Sequence, residues 1–370
     1  MTLTSLPDLS FCETDTATVE ASVILAYESI TGKKLYPGDP VRLFLESLAM
    51  VVVMQRVIID TSAKQNLLAF ATGEKLDHLG ALTGTSRLVP APASAVFRFS
   101  RQNPGSAPVL IPAGTRVTPD QTLFFTTLDT CEIPAGKTSA ETTAECVTPG
   151  EIGNGFLPGQ VAELSDPLAG VDSVENITET SGGSDHEDDD HFRERIHLSP
   201  ERFTTAGTRG GYEYWAKTAH PDIADVAVHS PEPGMVDVYA LLKDGQIPDQ
   251  SILDLVRSVL NDDAVIPLTD TCRVLPPTPV ECEVDITWYL AAKDSAMAAT
   301  VQAGVATAVN DFSSWQGSAL GRDINPTELI HRVRQAGAVR VEVAAPVHRT
   351  LETWQTADIQ DIRVSFGGLE

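Results

Sequence analysis

The residues of this sequence that are best suited to chemistry form an acidic run with two histidines. The run is Asp185-His186-Glu187-Asp188-Asp189-Asp190-His191. Carboxylates and imidazoles at this density could hold a divalent cation that activates water for hydrolysis. The spacing differs from the H-E-x-x-H pattern of zinc proteases, and the run has no glycine at the sixth position of an EF-hand loop. We therefore expect at most a weak, non-specific cation site and no stoichiometric metal.

The same run is also typical of the start of a helix, and we favour this interpretation. Acidic side chains stabilise the positive end of the helix dipole, and two arginines follow further along. Asp189 and Arg193 are four residues apart, a pair that contributes only about 0.3 kcal/mol when it is exposed. Arg193 and Arg195 are two apart, so they point in different directions. We expect one of them to pair within the chain and the other to face a partner.

A second motif covers residues 207–216, with the sequence Gly-Thr-Arg-Gly-Gly-Tyr-Glu-Tyr-Trp-Ala. It contains no G-x-G-x-x-G pattern and follows no predicted strand, so we do not expect a phosphate site. Gly210 and Gly211 should let the chain turn before a helix that starts at Tyr212. Tyr212 and Trp215 are then either core aromatics or anchors of an interface.

Other catalytic patterns are missing from the sequence. There is no G-x-S-x-G motif, and the remaining histidines have no spacing that pairs them with a nucleophile. The five cysteines have no C-x-x-C spacing, which indicates reduced thiols in a cytosolic compartment rather than a zinc site or disulfides. These cysteines are Cys12, Cys131, Cys146, Cys272 and Cys282. We therefore expect a protein without enzymatic activity, catalytic residues, cofactor or structural metal.

The charge of the chain excludes some classes of partner. The 370 residues carry a formal charge of −25, and residues 120–190 hold 16 acidic side chains against one lysine. Such a surface repels nucleic-acid phosphates and anionic lipid, so neither is an expected partner. The first residues show no signal peptide. The apolar stretch Ser47–Gln55 is far shorter than the ~20 residues of a membrane span, so we expect a buried helix segment there.

The elements that must position these motifs fall into four predicted regions. Residues 1–90 have helical periodicity, with Asp39 as a helix cap before Pro40. Residues 91–181 are rich in Thr, Val, Pro and Gly and predict a β-barrel or sandwich. Within them, two Ile-Pro-Ala-Gly segments, at residues 111–114 and 133–136, predict type I turns.

The other two regions make up the rest of the chain. Residues 182–220 should be a hinge with connecting helices, with one glycine pair at residues 182–183 and a second at residues 210–211. Residues 221–370 alternate strands with helices and include a hairpin around residues 231–234. The predicted fold class is therefore α+β multidomain, with a helical N-terminal segment, a β-barrel or sandwich, and small C-terminal α+β modules of ferredoxin-like type.

Several blocks occur in an order that is typical of one protein family. The blocks are Leu76-Asp77-His78-Leu79-Gly80, residues 111–118, Gly150-Glu151-Ile152-Gly153-Asn154, residues 182–195, residues 207–216, Val236-Asp237-Val238-Tyr239 and residues 321–339. In this order they resemble the baseplate J-like family, wedge proteins of contractile phage tails and related injection machines. The length resembles that of Mu-like members. The order of the blocks, rather than any single block, carries the resemblance.

The resemblance implies a structural role in the virion, at the tail baseplate, or in a tail-like particle assembled in the host bacterial cytoplasm. Copies of such a protein build wedges in a sixfold ring around a central hub or spike, and rearrangement of the ring starts sheath contraction. The implied partners are further copies of the chain, a second wedge protein of the baseplate I-like type, a lysozyme-like sheath initiator and the hub. Tail fibres and sheath are indirect partners, and direct membrane insertion is not expected.

Two alternatives stay open at this point. One is a particle-associated, metal-assisted hydrolase that uses residues 185–191, and the other is a tail fibre or adhesin, which would more often show repeats and β-rich C-terminal segments. For the structural role, we expect the partner-binding or hinge residues to lie in the two glycine-bordered motifs. They are Gly182, Gly183, Asp185, Glu187, Arg193, Arg195, Gly210, Gly211, Tyr212 and Trp215.

Overall fold

The computed structural model describes residues 6–203, 207–262, 265–267 and 269–370. Residues 1–5 and residues 204–206 of the predicted hinge region lie outside this part. The described chain forms two compact units, one of residues 6–87 with 192–197 and the other of residues 88–191 with 198–370. Helices and small sheets are combined along the chain, which confirms the predicted α+β multidomain class.

The first unit is helical. Its helices are α1 (Thr16–Thr31), α2 (Pro40–Lys64), α3 (Gly73–Leu82) and residues 192–197 of α4 (Asp189–Leu198). The predicted cap is confirmed, because the Asp39 carboxylate accepts the Val41 N–H at 2.8 Å and Pro40 occupies the first turn, where its missing N–H costs nothing. Gly32 ends α1 with φ of 68°, a value that glycine adopts without strain.

Helix α2 exposes most of its apolar side chains. Leu45, Ala49 and Val53, spaced by four residues, are its buried side chains. The expectation that Ser47–Gln55 is a buried segment is therefore wrong, since a helix against a single neighbouring helix buries only one stripe. The exposed apolar side chains are Val41, Leu43, Phe44, Leu48, Met50, Val51, Met54, Val57, Ile58 and Ile59.

A small second core in this unit lies between α3 and α4. Leu76, Phe192 and Ile196 are buried there together with Ala71. Gly80 lies so close that an added Cβ would meet the Phe192 ring at 2.5 Å and the Thr85 carbonyl oxygen at 2.6 Å. The glycine of the Leu-Asp-His-Leu-Gly block is therefore required by a close helix contact.

The second unit begins with a β-barrel. Its strands are β1 (Ser94–Ser100), β2 (Val109–Ile111), β3 (Arg116–Thr118), β4 (Phe125–Thr127), β5 (Cys131–Ile133), β6 (Ser139–Cys146), β7 (Glu163–Leu164) and β8 (Ser173–Asn176). Six of them form one antiparallel sheet in the order β7-β3-β4-β6-β1-β8, and β2 pairs with β5. Alternate residues of β1, Phe97 and Phe99, are fully buried together with Phe125.

One buried amide joins the two edges of this sheet. Asn176 accepts the Val161 N–H at 2.9 Å and donates to the carbonyls of Phe156, Leu157 and Thr178 at 2.8 to 3.2 Å. Its side chain thus satisfies backbone groups in the segment that leads into β7, while its own backbone belongs to β8. The sheet is in this way nearly closed into a barrel, which confirms one of the two predicted β architectures.

The two Ile-Pro-Ala-Gly turns differ from the sequence prediction by one position. The Thr115 N–H bonds the Pro112 carbonyl and the Lys137 N–H bonds the Pro134 carbonyl, so each proline is the first residue of its turn. Gly114 and Gly136 are then third, with φ of 82° and 79°. A positive φ at this position is characteristic of a type II turn, so the type I prediction was wrong.

Two small α+β modules follow in the second unit. The first has α5 (Arg209–Ala219), β9 (Ile223–His229), β10 (Met235–Leu242), α6 (Gln250–Leu260) and β11 (Thr271–Leu275). The predicted hairpin is confirmed, because β9 and β10 pair antiparallel, whereas β10 and β11 are parallel across α6. Tyr212, Val238 and Val256 belong to its core.

The second module has β12 (Thr278–Leu290), α7 (Ala298–Gly317), α8 (Pro326–Gln335), β13 (Arg340–Ala345) and β14 (Gln355–Leu369), with strand order β13-β12-β14. Each module shows three strands in the described residues, where the ferredoxin-like βαββαβ unit has four. Among the described residues, no helix has the length and apolar character needed to cross a membrane.

Candidate hinge and partner-binding segment

Residues 182–185, predicted as the start of a hinge, are held against the barrel. Gly183 N–H donates to the Asn154 side-chain oxygen at 2.9 Å, and the Asn154 amide donates back to the Gly183 carbonyl at 2.7 Å. A Cβ on Gly183 would lie 2.4 Å from the Gly150 carbonyl oxygen and 3.0 Å from the Ala93 nitrogen. Only glycine fits this approach without a shift of the backbone.

The neighbours of Gly183 have a different local geometry. Gly182 has φ of +81°, yet a Cβ there would meet only the Ser251 hydroxyl at 3.6 Å. Asp185 accepts the Glu151 N–H at 3.2 Å. Ser181 pairs with Ser94 and Ser184 with Ala91 as isolated antiparallel bridges. These bridges hold the backbone on both sides of the glycine pair. The assignment of Gly182 and Gly183 to a hinge stays a prediction.

Glu187 and His191 form a buried pair inside the second unit. His191 Nδ1 lies 2.5 Å from Glu187 Oε1, and His191 Nε2 donates to the Ile223 carbonyl at 2.9 Å. The other Glu187 oxygen accepts the Leu88 N–H at 2.8 Å. Both ring nitrogens of His191 therefore face oxygen atoms of the protein. The imidazole and the Glu187 carboxylate bind other groups of the fold rather than a ligand.

The beginning of α4 follows the favoured interpretation of the acidic run. The Asp188 carboxylate accepts the His191 N–H at 2.8 Å, and Lys243 lies 2.7 Å from its other oxygen. Burial by itself would raise the pKa of Asp188, but these donors outweigh it and leave the pKa below its usual value. No group of three or more His, Cys, Asp or Glu side chains in the described ranges is arranged to hold a metal.

Both predicted arginines of α4 bind backbone carbonyls of the first unit. Arg193 donates to the carbonyls of Leu68 and Ala71 at 2.9 and 2.8 Å. Arg195 is buried and donates to the Ser86 carbonyl at 3.2 Å. We expected one arginine to be left for a partner, but each of them has bonds within the chain. Their place in a partner interface stays a prediction.

The second glycine pair lies inside a helix. The Thr208 hydroxyl accepts the Gly211 N–H at 3.2 Å, which starts α5 at Arg209 and not at Tyr212 as expected. The predicted turn at Gly210 and Gly211 is therefore the first turn of α5. A Cβ on Gly210 would meet Glu201 at 2.8 Å, so this glycine permits close packing.

The aromatic residues of α5 contribute to the core of their module. Tyr212 is buried, and its hydroxyl donates to Asp270 at 2.7 Å. Burial, with the nearby Asp270 carboxylate, raises the pKa of Tyr212. Trp215 is half-buried against the same core and lies 5.2 Å from the Tyr214 ring. A core position is thus observed for Tyr212, and a partner contact of Trp215 stays a prediction.

A cleft of about 520 Å³ in the second unit is lined in part by His220, a histidine that is only 2% exposed. Gly182, Asp222, Lys243 and Asp249 also line it. His220 Nδ1 accepts the Asp222 N–H at 3.2 Å, and its Nε2 donates to the Gly182 carbonyl at 3.2 Å. Both nitrogens of the His220 ring are therefore engaged in hydrogen bonds with the backbone.

Sequence reasoning missed two features that concern binding. One is the exposure of the apolar side chains of α2, because periodicity identifies a stripe but not what covers it. The other is the outer edge of β14, where residues 360–367 are all exposed. The alternation of Ile362, Val364 and Phe366 with polar residues was the available signal, and it predicts a strand without giving its place in the sheet.

Comparisons with known families agree with the order of these parts. The baseplate J-like N-terminal domain model matches residues 38–94, the baseplate J-like protein barrel domain model matches residues 96–183, and the baseplate J-like central domain model matches residues 204–276. Together the three matches cover more than half of the chain.

Individual relatives align with less than half of this chain. Baseplate protein J of Escherichia phage P2 is 29% identical over 184 residues, 49% of this chain and 60% of that protein. Phage-like element PBSX protein XkdT of Bacillus subtilis (strain 168) is 29% identical over 147 residues, 40% of this chain and 37% of that protein. The chain thus aligns with less than two thirds of either relative.

The chain is also similar to chains of solved structures. A chain in the cryo-EM structure of the anti-feeding prophage (AFP) baseplate, 6-fold symmetrised, matches with a TM-score of 0.40 and 12% identity, over 93% of this chain and 90% of that chain. The family assignment does not depend on this match. Because three domain models of one family match successive parts of the sequence, the chain belongs to the baseplate J-like family.

Proposed function

We propose that this chain is a structural wedge protein in the baseplate of a contractile phage tail or of a tail-like injection machine. Its copies form a sixfold ring around the hub, and rearrangement of the ring helps to trigger sheath contraction. Membership in the baseplate J-like family supports this proposal, as does the name of the phage P2 relative. The role requires no catalytic residue and no cofactor.

The observation that carries the proposal is the exposed apolar surface of α2. Phe44, Met54 and Ile58 each leave more than half of their side chain in solvent. A large exposed apolar patch is costly for an isolated protein and marks a surface that a partner covers. Because the side chains lie on one long helix, a helical bundle with other subunits would bury them.

The proposed partners are other copies of the chain, a baseplate I-like wedge protein, the lysozyme-like sheath initiator and the hub. Contacts with tail fibres and sheath are indirect. The proposed place is the virion baseplate or the tail-like particle, with assembly in the host bacterial cytoplasm. Small domains with cores of their own can move as rigid bodies while the ring rearranges.

The experiment introduces glutamate into the exposed apolar surface. Phe44→Glu combined with Ile58→Glu should abolish contractile particles in a complementation assay, because a charge buried at an interface costs several kcal/mol. The matched control is Gln302→Glu with Thr307→Glu, which adds the same charge at exposed polar positions of another helix, α7. Both proteins should melt within a few degrees of the parent.

The outcome can also contradict the proposal. If the apolar-to-glutamate protein folds and still gives normal numbers of contractile particles, α2 is not an assembly surface and the wedge role loses its main support. If the control also abolishes particles, added charge rather than apolar contact is responsible.

A further inference from the structure

Strand β14 forms one edge of the sheet in the second module. It follows β12 in parallel from Gln355 to Leu369 and is the last strand in the order β13-β12-β14. Its first residue is covered, because the Gly321 N–H donates to the Gln355 carbonyl at 2.8 Å. From residue 360 to 367 every residue is exposed, and in the described part of the chain the outer backbone groups have no hydrogen-bond partner.

The apolar face of the sheet continues onto β14 beyond its helical cover. Val284, Ile286 and Trp288 of β12 are buried under α7 and α8. The residues opposite them on β14, and therefore on the same face, are Ile362, Val364 and Phe366. These three are 41%, 36% and 48% exposed. The core of the module is thus open along this edge.

The other face of the same two strands is acidic. Cross-strand pairs join Glu281 with Asp358, Glu283 with Asp361 and Asp285 with Arg363. The single guanidinium is already shared, since Arg363 lies 2.8 Å from Asp361, 3.1 Å from Glu283 and 3.6 Å from Asp285. Five carboxylates against one arginine leave a negative strip that runs beside the open backbone edge.

We infer that the edge of β14 at residues 360–367 binds an extended segment of another protein, in which apolar residues alternate with lysine or arginine. Backbone hydrogen bonds would add this segment to the sheet as a fourth strand. Its apolar side chains would cover Ile362, Val364 and Phe366, since side chains of paired strands share a face. Its basic side chains would lie beside the carboxylates of the opposite face.

Natural proteins often protect exposed strand edges with lysine, proline or a covering loop. Residues 360–367 have no lysine or proline, and their one arginine is held by carboxylates. A second copy of this chain is a poor occupant, because it would bring the same acidic strip and a formal charge of −25. The electrostatic pattern therefore favours a basic partner segment.

The experiment measures hydrogen exchange of the full chain with a short synthetic peptide that alternates valine and lysine. The peptide should slow exchange of the amides of residues 360–367 by about tenfold or more, because they become paired. A matched peptide of valine and glutamate should give no slowing at the same concentration. A third peptide with the same valines and lysines in two separate blocks should not protect this segment either.

Variants test the two faces separately. Val364→Lys places a charge on the apolar strip and should abolish protection, and Asp361→Lys should weaken peptide binding about fivefold. The control is Glu342→Lys, at an exposed position of the opposite edge strand β13, with an effect below about twofold. Thermal melting should show that all three variants remain folded.

Three results would overturn the inference. The first is unchanged exchange at residues 360–367 with the valine–lysine peptide. The second is equal protection by the valine–glutamate peptide, which would remove the role of charge. The third is protection of the same residues at high protein concentration without peptide, lost in Val364→Lys, which would make a second copy the occupant.

Discussion

The barrel and helix α2 use the same kind of side chain in opposite ways. Phe97, Phe99 and Phe125 are completely buried in the barrel, whereas Phe44 in α2 is 66% exposed. In the barrel, the ring centroids of Phe97 and Phe125 lie 5.7 Å apart, and the two residues belong to different strands of one sheet. On α2, apolar residues cover most of the circumference of a helix that buries a single stripe.

The barrel therefore buries its apolar side chains without a partner, whereas α2 needs a partner to bury its own. The barrel also satisfies its buried polar groups internally, as Asn176 shows with four backbone partners. Apolar surface that stays in solvent contributes nothing to folding and becomes favourable only when a partner removes it from water. Barrel residues should therefore govern the stability of the isolated chain, and α2 residues its assembly.

The largest expected effect comes from truncating one phenylalanine side chain in the barrel and comparing it with the same truncation in α2. Phe97→Ala should lower the free energy of unfolding of the barrel by about 4 kcal/mol, because it leaves a cavity in a closed core. Phe44→Ala should change the free energy of unfolding by less than about 0.5 kcal/mol. Chemical denaturation of both purified variants makes the comparison. A large loss from Phe44→Ala would mean that α2 stabilises the isolated chain.

Local chemistry explains which parts of the fold could be predicted from the sequence. The helix cap at Asp39 depends on the neighbouring residues, and it was predicted. So was the hairpin of β9 and β10 around residues 231–234, where turn residues separate two alternating strands. The general α+β class followed from the order of such elements.

The remainder depends on contacts between residues that are distant in sequence. The acidic run indicated the start of α4, but nothing in it showed that Glu187 would be buried beside His191 or that Arg195 would reach the Ser86 carbonyl. Gly183 was predicted as a hinge glycine, and that role stays a prediction. Nothing near it in the sequence showed that its position also leaves no room for a Cβ next to Gly150.

A second experiment tests how firmly residues 182 and 183 are held to the barrel. Gly183→Ala should cost about 2–3 kcal/mol, because its Cβ would overlap backbone atoms of the barrel that cannot move freely. Gly182→Ala has room for a Cβ, and its positive φ should cost only about 1 kcal/mol. Urea denaturation would rank the two variants. Equal, small effects would favour the hinge prediction, because a flexible segment tolerates a Cβ at either position.

The smallest expected effect concerns the link between residue 181 and α6. Asp249 caps α6 by accepting the Ile252 N–H at 3.0 Å, and it also accepts the Ser181 hydroxyl. Burial alone would raise the pKa of Asp249, but hydrogen bonds from Ser181, Ser251 and Ile252 outweigh it and lower the pKa below the usual value. A carboxyl with a lowered pKa stabilises the folded state above about pH 4, the value in the unfolded chain.

This stability should be lost as the pH falls from about 4 through the lower pKa of the folded state, because the unfolded chain then binds the proton first. Asp249→Asn keeps a capping oxygen but removes the titration, so the stability difference from the parent should shrink on acidification. Asp249→Ala removes the cap as well and should cost about 1 kcal/mol more at neutral pH. Urea denaturation from pH 7 to pH 3 would check both. A difference between parent and Asp249→Asn that stays constant with pH would show that this carboxylate does not contribute through its charge.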